Sequence, residues 1–89
     1  MIYNVVITNV NEEMTEAVIS RTDRQRAITA MKDYFEAELA SLREGPDGEG
    51  GWEDEELGIH FEVNDDGFHL WCEDLDYELK AEILMTELL

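Results

Sequence analysis

Oxygen-bearing side chains in the second half of the chain are spaced as in a calcium-binding loop. Glu62, Asn64, Asp66, Gly67 and Glu73 match positions one, three, five, six and twelve of an EF-hand, with Glu in place of Asp at the first position. An EF-hand loop requires a helix on each side, whereas the residues that flank this string alternate between apolar and polar types. The alternation favours a β-hairpin over a calcium site, and we expect neither a metal nor another cofactor.

Softer metal ligands and catalytic groups are scarce. His60, His69 and Cys72 fit no zinc spacing, and the two histidines alternate with apolar positions, so we expect them on an outer strand face beside solvent or a cross-strand carboxylate. The sequence contains no Ser-His-Asp, Cys-His or phosphate-loop pattern, and carboxylates are too abundant for any pair to indicate acid–base catalysis. We therefore expect that the chain is not an enzyme.

The distribution of charge is the strongest signal in the sequence. The first 43 residues carry 7 acids and 5 bases, a net charge of −2, and the last 46 carry 16 acids and 1 base, a net charge of −15, which together give the chain's −17. A small domain is kept soluble by a net charge of about 2–8, and a larger charge opposes compaction. The excess points to a basic partner, and Arg21, Arg24 and Arg26 are expected to form salt bridges with the acidic half.

Carboxylates held on a folded protein are spaced like the phosphates of a nucleic acid. Side chains two apart on a strand lie about 7 Å from each other, and those three or four apart on a helix about 5–6 Å. Such a polyanion is repelled by nucleic acid and anionic membranes but attracted to proteins that bind nucleic acid. Trp52 serves either as a core plug or as an aromatic anchor of the interface. The predicted partner-binding residues are Trp52, Glu53, Asp54, Glu55, Glu56, Asp65, Asp66, Glu73, Asp74, Asp76 and Glu78.

Strand-forming sequence opens the chain. Residues 2–9 and 15–21 are rich in β-branched types and are separated by a polar turn, which predicts a hairpin. A single helix over residues 11–43 is the alternative, and it is disfavoured because no apolar stripe spans residues 19–26.

The clearest element is a helix over residues 23–43. Thr22 and Gln25 form a capping-box pattern at its start, and Gly45-Pro46 ends it. Its apolar stripe, expected to pack on the sheet, consists of Ile28, Met31, Phe35, Leu39 and Leu42.

The acidic half predicts a second hairpin and a second helix. After a glycine-rich loop over residues 44–51, apolar residues alternate through 59–63 and 68–72 around Asn64-Asp65-Asp66-Gly67, with Gly67 suited to a left-handed conformation. Asp74 or Asp76 then caps a final helix whose apolar face is formed by Leu75, Leu79, Ile83, Leu84 and Leu88.

These elements predict one small α+β domain of order β-β-α-β-β-α over residues 1–89. An antiparallel sheet carries both helices on one face, and the near-neutral half, residues 1–43, joins the acidic half, residues 44–89. A single cysteine permits no internal disulfide, and neither a signal peptide nor a membrane span is recognisable, so we expect a cytoplasmic protein.

In size, acidity and mixed α/β layout the chain resembles DNA-mimic inhibitors of phages and mobile elements, which include anti-CRISPR and anti-restriction proteins. The acidic clusters at residues 52–57, 64–67 and 73–78 carry this resemblance. It implies an inhibitor that acts in the host cytoplasm, if phage-encoded, and occupies the nucleic-acid site of a defence protein such as a CRISPR effector. Two alternatives stay open: an immunity protein or antitoxin that neutralises a basic toxin, and a small acidic accessory module without inhibitory activity.

Overall fold

The computed structural model describes residues 1–45, 48, 50 and 53–87. Five antiparallel strands form one sheet in the order β2-β1-β5-β4-β3, which confirms the α+β class. The helix α1 packs on one face of this sheet, and the short helix α2 lies beside β3. The bounds of the elements are β1 Ile2–Asn9, β2 Met14–Arg21, α1 Arg24–Arg43, α2 Asp54–Leu57, β3 Ile59–Asn64, β4 Gly67–Cys72 and β5 Tyr77–Thr86.

The predicted C-terminal helix, with its cap at Asp74 or Asp76, is wrong. The strand β5 occupies Tyr77–Thr86 and lies at the centre of the sheet, where it pairs with both β1 and β4. Leu79 and Ile83 are four residues apart, a spacing that places both on one face of a helix and equally on one face of a strand. The strand is favoured over the helix because β1 and β4 both have backbone N–H and C=O groups facing this segment. Without a strand between them, those groups would have no hydrogen-bond partners.

The structure confirms α1 and its buried stripe. Its N-cap is Asp23, whose Oδ1 accepts a hydrogen bond from the Arg26 amide at 3.2 Å, one residue later than the predicted cap. The helix ends at Arg43, and Gly45 follows with a φ of 75°. The residues of α1 that are buried are Ala27, Ile28, Met31, Phe35 and Leu39.

The hydrophobic core lies between α1 and one face of the sheet. Val5 and Ile7 of β1, Leu70 of β4 and Leu79 of β5 are fully buried there, beneath Met31 of the helix. Because strand side chains alternate between faces, the neighbours of these residues point to the opposite face. Among the described residues no helix packs on that second face, which we call the open face.

Candidate acidic interface

The predicted acidic residues lie at two ends of the β3–β4 hairpin. Asp65 and Asp66 form the turn at one end, where Asn64 pairs with Gly67. At the other end Ile59 pairs with Cys72, so α2 and the β4–β5 turn come together there. Strands of six residues separate the two groups by about 20 Å. We call Asp65 and Asp66 the turn acids, and we call the second group the acidic end: Glu53, Asp54, Glu55, Glu56, Glu73, Asp74 and Asp76.

The turn acids are held by bases of α1. Lys32 Nζ lies 2.8 Å from Asp65 Oδ1, and Arg24 Nη2 lies 3.1 Å from Asp66 Oδ1. The hydrogen bond from Lys32 lowers the pKa of the Asp65 carboxyl. Of the three arginines predicted to pair with the acidic half, Arg24 does so, whereas Arg21 and Arg26 form no ion pair among the described residues. Lys32, and Arg43 through Asp54, also join the two halves, and neither was predicted to do so. Both turn acids already have cationic partners within the fold.

The turn itself depends on an asparagine and a glycine. Asn64 Oδ1 accepts hydrogen bonds from the amides of Asp66, at 2.8 Å, and Gly67, at 3.2 Å. Gly67 is not in the left-handed region, contrary to the prediction. Glycine is required there because a Cβ would collide with the carbonyl oxygen of Ala81 on β5. The EF-hand-like string therefore lies in two paired strands and their turn, with Glu73 directly after β4.

At the acidic end, α2 presents carboxylates from a well-defined turn. Glu53 caps it, and Glu56 accepts a hydrogen bond from the Glu53 amide at 3.4 Å in a capping box. Negative charge in the first turn of a helix is favoured by the helix dipole. Gly58 ends α2 with a φ of 71°, and its carbonyl accepts a hydrogen bond from the Glu73 amide at 2.9 Å. This bond holds the two acidic segments side by side.

Few bases offset the charge of the acidic end. Arg43 makes a bidentate pair with Asp54, with Nε–Oδ1 and Nη2–Oδ2 distances of 2.8 Å, and these hydrogen bonds lower the pKa of the Asp54 carboxyl. Within the described part of the chain, Glu55, Asp74 and Asp76 have no ion pair. Seven carboxylates therefore face a single arginine, apart from a contact between Glu73 and His60.

A groove of about 270 Å³ opens beside these carboxylates. Leu42 of α1, Leu57 of α2 and Leu75 of the β4–β5 turn line its apolar wall, and the exposed residues Glu56 and Asp74 border it. Leu75, which was predicted to lie on the apolar face of the final helix, is instead in a turn and 58% exposed. This groove was not predictable from local patterns, because its three leucines come from segments far apart in the chain.

Glu78 belongs to neither group and lies on the open face, opposite Trp71 of β4. Its Oε2 is 2.6 Å from His69 Nε2 and 3.9 Å from Lys80 Nζ, and His60 Nε2 is 3.3 Å from Glu73 Oε1. The prediction that the histidines face cross-strand carboxylates is confirmed for His69, because β4 and β5 are neighbours. The ring of Trp71 stacks on the imidazole of His69 at a centroid distance of 4.4 Å and on that of His60 at 5.5 Å.

Trp52 lies outside the described residues, so the role of Trp52 as core plug or interface anchor stays a prediction. Leu88, which was assigned to the predicted final helix, lies outside them as well. In the described ranges, no three or more His, Cys, Asp or Glu side chains are grouped to hold a metal ion. Over those same residues, no helix has the length and apolar character needed to cross a membrane.

Comparisons with protein-family models, with curated proteins and with solved structures found no match for this chain.

Proposed function

We propose that this protein is an acidic inhibitor that binds a basic, nucleic-acid-handling protein, such as a CRISPR nuclease or a restriction enzyme, and blocks its DNA or RNA site. The observation that carries the proposal is the acidic end, where seven carboxylates on two hydrogen-bonded segments are offset, among the described residues, by Arg43 and by the contact of His60 with Glu73. A fixed array of this kind attracts a cleft that is lined with lysine and arginine.

The groove offers a place where lysine and arginine side chains of the partner can pack. Lysine and arginine have long aliphatic stems that pack on apolar surface while their charged heads stay in a polar setting. The leucine-lined wall between Leu42, Leu57 and Leu75 suits such a stem, and Glu56 and Asp74 stand where the cation would emerge. Burial of the stem adds short-range specificity to the long-range field, which by itself mainly speeds association.

The ion pairs within the fold determine how available each predicted acidic residue is to a partner. Asp65 and Asp66 already bind Lys32 and Arg24, and Glu78 is held by His69, so each would have to exchange an internal partner for an external one. Glu55, Asp74 and Asp76 are exposed and, among the described residues, have no ion pair to exchange. We therefore assign the main contact to the acidic end and a minor one to the turn acids and Glu78.

A competition assay with matched charge reversals tests this assignment. Purified CRISPR nucleases, restriction enzymes and basic toxin nucleases are each bound to fluorescent DNA or RNA, and the protein is titrated in. The test variant is Glu55→Lys/Asp76→Lys, and the control is Glu12→Lys/Glu36→Lys, which reverses two exposed acids of the near-neutral half; each variant changes the net charge from −17 to −13. The test variant should lose about tenfold or more in affinity and the control less than about threefold.

Three outcomes contradict the proposal or redirect it. A partner that binds this protein and nucleic acid together, with neither affecting the other, rules out blockage of the site. Equal loss in both variants means that net charge alone, and not the acidic end, drives binding. Competition only at the active site of a toxin nuclease favours the immunity-protein alternative over an inhibitor of defence enzymes.

A further inference from the structure

The apolar layer beneath α1 continues past β3, the last strand at one edge of the sheet. Ile59 is buried in the core, and Phe61 and Val63, two and four residues later, point to the same face of the sheet. Phe61 is nevertheless 40% and Val63 39% exposed. The helix α1 packs mainly on the other four strands, so within the described ranges it leaves these two side chains partly uncovered. The layer therefore has space for one more strand beside β3.

A groove of about 600 Å³ occupies that space. Its apolar wall consists of Phe35, Leu39 and Ala40 of α1 and Phe61 of β3. A strand added at the usual spacing of about 4.8 Å from β3 would direct every second side chain towards this wall. The groove therefore suits apolar side chains that recur with the period of a strand.

The outer edge of β3 has backbone groups for such pairing. Because β3 pairs with β4 alone, alternate N–H and C=O groups of β3 point away from the sheet. In the described part of the loop after α1, Gly48 and Gly50 donate their amides to the carbonyls of Gly45 and Glu44, and not to β3. Lysine, proline or a β-bulge commonly protects an edge strand from further pairing, and β3 has none of these.

Charge restricts the kind of strand that can bind there. Glu62 is exposed and alternates with Phe61 and Val63, so it points to the open face, and the exposed residues Glu36 and Glu44 border the groove. None of these three glutamates has an ion pair with another described residue. A strand that carries lysine or arginine matches them. A second copy of the chain does not, because its β3 would bring another Glu62 and a further net charge of −17.

We propose that the outer edge of β3 binds an extended, basic segment of the partner protein as a sixth strand. Apolar side chains of this segment fill the groove, and lysine or arginine side chains alternate with them and point to the open face, where Glu62 lies. In strand addition, main-chain hydrogen bonds provide affinity and the contacts of alternate side chains provide specificity. The inference rests on the proposed function for the basic character of the partner, and it adds a contact separate from the acidic end.

A synthetic peptide tests this contact without the partner protein. The probe is an octapeptide of alternating lysine and valine, blocked at both ends, which is titrated into isotope-labelled protein at physiological ionic strength and followed by NMR. The amide resonances of residues 59–64 should shift as the peptide binds, and these amides should exchange more slowly with solvent.

Methylated peptides separate backbone pairing from charge attraction. Methyl groups on all valine amides or on all lysine amides block opposite edges of the peptide strand, while both peptides keep the same charge. A sixth strand uses one edge only. One methylated peptide should therefore lose about tenfold or more in affinity, and the other should bind as the unmodified peptide does.

A matched pair of protein variants locates the contact. Val63→Lys should weaken binding of the unmodified peptide by about fivefold or more, because it places a cation where an apolar side chain has to pack. Val18→Lys is the control, since Val18 is an exposed valine on β2, the opposite edge strand, and the change in charge is the same. The control should bind within about twofold of the wild type. If circular dichroism shows that Val63→Lys is unfolded, Glu62→Lys replaces it, with Glu12→Lys as its control.

Three results overturn the sixth strand: no shift at residues 59–64 at millimolar peptide, equal affinity for the two methylated peptides, or equal loss in Val63→Lys and Val18→Lys. They are distinguishable from failure of the proposed function. Peptide binding at β3 without displacement of nucleic acid from any nuclease refutes the inhibitory function and supports the strand site. Displacement of nucleic acid without peptide binding refutes the strand site alone.

Discussion

Truncation of Phe35 gives the sharpest test of how α1 is held on the sheet. Phe35 is only 5% exposed, and its ring lies 5.3 Å, centroid to centroid, from Phe68 on β4 and 5.3 Å from Phe61 on β3. It therefore links the helix to the two strands of the acidic half. Phe61 makes one of the same ring contacts but is 40% exposed, which makes Phe61→Ala the natural control.

The two variants should differ in magnitude for a structural reason. Phe35→Ala leaves a cavity in the core and should lower the free energy of unfolding by about 3–5 kcal/mol. Phe61→Ala removes one ring contact and a partly buried apolar side chain on the edge strand β3. It should lower the free energy of unfolding by about 1–2 kcal/mol. A chain of this length has a total stability of about 4–13 kcal/mol, so the first change removes a large share of it.

Urea unfolding measured by circular dichroism at physiological ionic strength distinguishes these outcomes. With a slope of about 1–2 kcal/mol per molar urea, the midpoint of Phe35→Ala should fall by about 2–3 M, and that of Phe61→Ala by about 1 M. Equal midpoints for the two variants, or a Phe35→Ala midpoint at the wild-type value, would show that α1 does not pack as described.

Four further predictions rest on single contacts or on the total charge. Gly67→Ala should lower the free energy of unfolding by about 1–3 kcal/mol, because its Cβ collides with the Ala81 carbonyl; an unchanged urea midpoint contradicts this. Hydrogen bonds from Arg43 lower the pKa of Asp54, so the stability they contribute is complete above pH of about 4 and is lost as the pH falls through the folded value. Arg43→Gln should return that pKa to its usual range in an NMR titration. Burial raises the pKa of Tyr34 from 10.0 to about 12, so its contribution is complete below pH of about 10 and is lost as the pH rises to about 12; Tyr34→Phe should reduce the steepness of alkaline unfolding over that window. The melting temperature should rise with sodium chloride up to physiological ionic strength, and indifference to salt would mean that the carboxylates are already paired or well separated.

Elements with strong local signals were predictable. The apolar stripe of α1 recurs every three or four residues over about three turns, and no strand places Ile28, Met31, Phe35 and Leu39 on one face. The Asn64–Gly67 turn likewise carries its own chemistry, because the Asn64 side chain satisfies two of the turn amides. In both cases the deciding interactions lie within a few residues along the chain.

The last strand was not predictable from its own residues. Glutamate, leucine, lysine and alanine are good helix formers, and they dominate Tyr77–Thr86. The alternation of Leu79, Ala81 and Ile83 with charged residues is equally present, so local signals conflict. The segment forms a strand because β1 and β4 both present free backbone groups to it. Pairing in the tertiary structure thus overrides the helix propensity of its residues.

Local residue patterns were enough to predict the uneven charge of the two halves, the main helix and both hairpins. Where the negative charge is available to a partner depends on how the strands pair. The length of the β3–β4 hairpin carries Asp65 and Asp66 to the bases of α1, while Glu73 returns beside α2 at the other end. The same folding brings three distant leucines into one groove. Contacts of this kind join residues far apart in the chain, so they follow from strand order and register rather than from local spacing.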